Sequence, residues 1–73
     1  MSNKPNLSSR EVIKVLKKNG WIEVKSNSGS HIQFKHNKLK GRVTVPHPKK
    51  IIVYGTLKSI AIQSNIQIEE FYK

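Results

Sequence analysis

Ser30-His31-Ile32-Gln33-Phe34-Lys35-His36 alternates polar and apolar residues, and Arg42-Val43-Thr44-Val45 does so again after the polar turn Asn37 to Gly41. Alternation at period two marks strands with one buried face. It sends Ile32, Phe34, Val43 and Val45 toward a core, and His31, Gln33 and Lys35 toward solvent. A connection this short joins antiparallel neighbours. Pro46 and Pro48 end the second strand, since neither can donate to a ladder.

Upstream, Trp21 to Lys25 alternates as well, with Ile22 and Val24 on one face and Trp21, Glu23 and Lys25 on the other. Ser26 to Gly29 is a turn of small polar residues, so the three strands form a meander. Before them stands a helix. Ser8-x-x-Glu11 is a capping box, in which each side chain satisfies the other residue's free amide. Val12, Ile13, Val15 and Leu16 give the helix its apolar face, Arg10, Lys14, Lys17 and Lys18 its solvated one, and Asn19-Gly20 its stop. Residues 1–7 read as a flexible arm.

Downstream, Lys49 to Gly55 is a connection in which Ile51, Ile52 and Val53 form an extended anchor. Thr56 reads as the cap of a second helix, with Leu57, Ile60, Ala61 and Ser64 at positions i, i+3, i+4 and i+7. Ile62 falls off that stripe and is left to meet the C-terminal tail or a partner. Asn65 suits a left-handed helix end, and Ile68 to Tyr72 suits one last short turn with Phe71 inward. The order helix, three strands, helix is an α+β two-layer sandwich with a three-stranded antiparallel sheet. Residues 1–73 are read as a single domain.

Composition limits what such a domain can be. Of 73 residues only 36 % are apolar, and a chain this short buries only about 60 % of its unfolded surface. The longest apolar run is Ile51 to Tyr54, far below the roughly 20 residues of a membrane span. There is no cysteine, so disulfides and thiolate metal sites are excluded. Met1 to Pro5 lacks the apolar core of a secretory signal, and a cytoplasmic location is expected. Fourteen Lys and Arg against four Glu and no Asp give a formal charge of +10. Between residues 24 and 68 there is no acid at all. An unbroken basic stretch calls for a polyanionic partner, nucleic acid first. No segment pairs a long basic face with Trp, Phe and Leu, so a membrane surface is not expected.

The chemistry follows from what is missing. A two-metal nuclease needs several carboxylates around its ions, and this chain has four Glu in all. His31, His36 and His47 match no common zinc spacing, so no metal or other cofactor is expected. No Asp exists to orient a nucleophilic triad. RNA is different because it brings its own nucleophile, the ribose 2′-OH. One His can move the proton near neutral pH, and fixed cations can stabilise the charge that builds on phosphorus. His31 is the leading candidate, since it follows Gly29 and Ser30, whose amides can approach a phosphate closely, and shares a face with Lys35. Lys49 and Lys50 precede the second helix and Lys58 lies in its first turn, a natural place for a flanking phosphate. His47, between two prolines, is a possible secondary group, and His36 reads as incidental.

These residues fall into an ordered set of pieces: Lys17-Lys18-Asn19-Gly20-Trp21, Gly29-Ser30-His31, Val43-Thr44-Val45-Pro46-His47-Pro48, Gly55-Thr56-Leu57-Lys58-Ser59-Ile60 and Glu69-Glu70-Phe71. In that order and spacing, from Ser9 to Phe71, the chain resembles the HicA toxins of bacterial type II toxin–antitoxin systems. The resemblance implies a fold like that of double-stranded-RNA-binding domains. It also implies a ribosome-independent mRNA endonuclease that halts translation, with its catalytic His at His31. It implies a HicB antitoxin that covers the active face, with an acidic surface expected over His31. Operator DNA would be reached only through that antitoxin. Asn65 departs from the family's usual Gly, and Ile62 from a usual polar residue.

Two other readings use the same residues. A non-catalytic RNA-binding module would hold RNA by shape and phosphate contacts, indifferent to loss of His31. A pure protein-interaction part would use the charge for an acidic partner and show no RNA affinity at physiological salt.

Overall fold

A computed structural model describes residues 6–24 and 29–72 of the chain. The elements run α1 (Ser9–Lys18), β1 (Ile22–Val24), β2 (His31–Lys35), β3 (Val43–Pro46), α2 (Tyr54–Ser64) and a closing 3-10 helix over Ile68–Tyr72. The sheet order is β1-β2-β3, antiparallel throughout. The α+β, α-β-β-β-α architecture is thus the one the sequence pattern describes.

Both ends of α1 are built from sequence-local hydrogen bonds. Ser8 Oγ accepts from the Glu11 amide at 3.2 Å, and Glu11 Oε1 accepts from the Ser8 amide at 2.9 Å. At the other end Gly20 donates to Lys17 O and Trp21 to Leu16 O, which together form a Schellman closure. Gly20 takes φ +92° there, which a residue without Cβ adopts at little cost.

The register sorts the sheet into two faces. Phe34 stands opposite Val43 and Ile32 opposite Val45, and these residues look toward the helices. On the other face Ile22 stands opposite Lys35, Val24 opposite Gln33, Gln33 opposite Thr44 and His31 opposite Pro46. The apolar pair of β1 therefore lies on the open face, and Trp21 just before it takes the buried place at 2 % exposure. The indole removes more apolar area from water than either aliphatic residue. Its Nε1 donates to Ser64 O at 3.2 Å, so the ring is buried without an orphaned donor.

The core is Val12 and Leu16 of α1, Phe34, Val43 and Val45 of the sheet, Leu57, Ile60 and Ala61 of α2, with Trp21 and Phe71. Each large side chain contributes about 1.5–3 kcal/mol on burial. Phe71 enters from the 3-10 helix, where the short C-terminal turn was expected. Of the expected N-terminal arm, residues 1–5 lie outside the described residues, while Leu7 is buried and bridges to Ile52. Lys25 and most of the turn over Ser26 to Gly29 also lie outside the described residues.

The start of α2 differs from the sequence reading. The helix begins at Tyr54 with Val53 as its N-cap, no side chain caps it, and Thr56 sits within the first turn. The Ile52–Leu7 bridge and the burial of Leu57 fix the chain's entry, so packing replaces a capping hydroxyl. The far end is as expected: Asn65 adopts φ 58°, ψ 35°. Gln63 Oε1 accepts from the Thr44 amide at 3.3 Å, so α2 runs along the outer edge of β3 and covers it.

Candidate nucleic-acid interface

The molecule is 18 Å through its thinnest axis, one sheet backed by one helix layer. A site with no room for a deep interior must be made on a surface, and the open sheet face is the one the helices leave. His31 stands there at the first position of β2, exposed, with Nδ1 3.2 Å from Ser30 Oγ. That contact engages Nδ1, and Nε2 has no hydrogen-bond partner among the described residues. A Cβ built on Gly29 meets nothing within 4 Å, so the chain leading into His31 is open to close approach from outside.

Strand alternation puts Gln33 and Lys35 on the same face as His31. Lys35 is four residues along β2, about 13 Å away at strand rise. Both side chains are exposed there. No described carboxylate joins this face. Glu11 is held in the capping box, and Glu23 lies on the helix side of β1, paired with Lys17 at 3.5 Å.

His47 comes next to His31 by backbone but not by side chain. Its amide donates to Ser30 O at 3.0 Å, one step beyond the His31–Pro46 pair. Alternation then turns its imidazole to the opposite side of the sheet, toward α1. There Nδ1 lies 2.7 Å from the hydroxyl of Ser9, a side chain that is 1 % exposed. Ser9 also fixes Lys49: its Oγ accepts from the Lys49 amide at 2.9 Å and its own amide donates to Lys49 O at 2.9 Å. The side chains of Lys49 and Lys50 are exposed beside Arg10 and His47 in one cleft. Lys58 is not there. It lines a separate groove on α2 with Tyr54, Ile62 and Ile66.

Two residues do more than their sequence context suggests. His36 is a clamp: Nδ1 accepts from the amides of Lys38 and Leu39 at 3.0 and 3.3 Å, Nε2 donates to Asn19 O at 3.1 Å, and its ring meets Trp21 edge-on at 5.1 Å. A ring nitrogen that accepts carries no proton, so the Nε2–H tautomer is fixed. Ser9 is the second. Its one legible signal is a polar residue three positions before Val12 on the buried stripe of α1.

Among the described residues, no helix is long and apolar enough to cross a membrane. The family model described as "HicA toxin of bacterial toxin-antitoxin" matches residues 9–66, from the first residue of α1 to just past α2. A solved structure described as "HicA3 and HicB3 toxin-antitoxin complex" is similar at TM-score 0.70 and 33 % identity, over 84 % of this chain and 97 % of that one. No curated protein matches.

Proposed function

This chain belongs to the HicA family of toxins from bacterial toxin–antitoxin systems, and from that premise we propose that it is a ribosome-independent mRNA endonuclease acting through His31. The observation that carries the reading is the exposed imidazole of His31 on a sheet face bare of described carboxylates. Such a face suits an anionic substrate that supplies its own nucleophile.

His31 takes the 2′-OH proton or returns one to the departing 5′-oxygen. The 2′-oxygen bonds to phosphorus as the bond to the 5′-oxygen breaks, and no metal takes part. The amides of Gly29 and Ser30 bind the scissile phosphate. Lys35 helps to position that phosphate, and Lys49, Lys50 and Lys58 hold a flanking one. The chain works as one domain over residues 1–73, in the cytoplasm. Its antitoxin is a HicB protein, as in the HicA3–HicB3 neighbour, with an acidic surface laid over His31 and the open face.

Cleavage of a labelled mRNA in excess EDTA tests this. Wild type cuts, and folded His31→Ala loses at least about 100-fold in rate, the low end for a general acid or base. An RNA with 2′-deoxyribose at the cut site resists. Equal cutting by both proteins removes His31 from the mechanism. RNA binding without cutting by either makes the chain a binding module.

A further inference from the structure

The cleft on the α1 side of the sheet gathers cations whose charged ends make no described ion pair. Arg10 projects from the first turn of α1, and Lys49 and Lys50 from the segment that follows the cis His47–Pro48 peptide. All three side chains are exposed at a cleft of about 510 Å³, and no described carboxylate pairs with any of them. Glu11 is not part of the cleft lining, and its carboxylate turns back to the Ser8 amide in the capping box. Three unneutralised cations in one small concavity raise the local concentration of an anion.

His47 adds a directed donor. The buried Ser9 hydroxyl has one proton to give and two lone pairs, one of which the Lys49 amide uses. The proton can go to His47 Nδ1, at 2.7 Å, or to Lys49 O, at 3.2 Å. In the first arrangement the neutral ring carries its proton on Nε2. In the second, Nδ1–H donates to Oγ, and the ring is imidazolium or has a bare Nε2. An anion in the cleft selects an arrangement with Nε2–H, and in each of them Ser9 stays fully hydrogen-bonded. Ser9 is thus a positioning residue for His47.

We propose that Arg10, His47, Lys49 and Lys50 form a second phosphate subsite, which holds the single-stranded RNA after it has turned around the end of the β2–β3 ladder. The proposal rests on the RNA-cleavage reading and adds the path of the strand. His31 and His47 flank the same end of that ladder on opposite faces, joined through the Ser30–His47 hydrogen bond. A strand bound at both must pass around that end of the ladder, from one face of the sheet to the other. A duplex, with a persistence length of about 150 base pairs, cannot do so. A single strand can.

The test uses His31→Ala protein, which leaves RNA intact, and a fluorescein-labelled 12-nucleotide RNA read by anisotropy. Adding Arg10→Ala or His47→Gln weakens binding about threefold or more. Arg10→Ala also lowers the slope of log affinity against log salt by about 0.7, the value for one single-strand phosphate. Lys18→Ala, an equal charge change at the other end of α1, changes affinity less and leaves the slope near its parent value. Ser9→Ala shifts the imidazole nitrogen resonances of His47 in the free protein. Should that variant unfold, Arg10→Ala and His47→Gln carry the test alone.

Arg10→Ala and His47→Gln indistinguishable from Lys18→Ala, with RNA still bound, overturn the subsite and spare the cleavage reading. A duplex bound as tightly as the single strand overturns the path. Loss of antitoxin capture without loss of RNA affinity reassigns the cleft to protein carboxylates. No RNA binding by the parent protein, with no cleavage by wild type, overturns both this proposal and the reading beneath it.

Discussion

Gly20 is constrained twice at one Cα. Its φ of +92° disfavours any side chain, and a Cβ there would lie 2.8 Å from His36 Nε2, an atom held by Asn19 O. Gly20→Ala should cost about 1–2 kcal/mol from the backbone alone, and more from the contact. His36→Ala removes the obstacle. The double variant should therefore lose less stability in urea unfolding than the sum of the singles, and strict additivity would show that the two residues do not meet. The same pair shows where sequence reading stops. His31 is legible because alternation is local: its neighbours in sequence decide which face it takes. His36 and Ser9 take their roles from Asn19 and from His47 and Lys49, distant in sequence, and no spacing rule reaches that far. His47 reads in the sequence as a possible secondary group because it lies between two prolines. One extra residue beyond Pro46 puts it on the other face.

The two helices contrast in how they are held. A complete capping box starts α1, and its signal was readable in four residues. For α2, with an uncapped start at Val53, the sequence suggested Thr56 because a hydroxyl before an apolar stripe usually marks the first turn. Tertiary contacts decided otherwise: Ile52 and Leu57 are both buried on either side of the start. The end of α2 was legible, since few residues tolerate a left-handed turn. Asn65 takes the left-handed conformation itself, at φ 58°. Asn65→Gly should leave the melting temperature within a few degrees or raise it, because strain relief offsets added chain entropy. Asn65→Ala should lower stability by about 1 kcal/mol. Equal effects of Ala and Gly would mean that backbone conformation does not set the end of α2. On the outer side of this helix, Ile62 is 73 % exposed and lines a groove with Ile66 and Ile68, so it borders the C-terminal segment without being covered by it.

At the scale of the molecule, the +10 charge surrounds a thin body whose two sides do different work. Core residues face the helices, and the open face carries His31, Gln33, Lys35 and Thr44 together with Ile22 and Val24. Net charge was plain in the sequence and pointed to a polyanion. Its partition was not, because Arg10 and Lys49 are far apart along the chain and meet only in the folded cleft. A long-range attraction of this kind acts on rates before it acts on contacts. Association with an acidic antitoxin should slow about tenfold or more between 50 and 500 mM salt, as stopped-flow mixing would read. A rate insensitive to salt would show that capture is driven by contact shape rather than by field.

Trp21 is the chain's one tryptophan, and it is buried where the end of α1, the His36 clamp and the end of α2 come together. That makes it an optical gauge of closure. Its emission shifts to longer wavelength when any of those three elements lets water in. The indole faces the helices, away from His31 and the open sheet. Light from this single ring therefore reports whether a variant is folded while RNA or antitoxin is followed by another label in the same cuvette, and damage to the scaffold separates from damage to the chemistry in one titration.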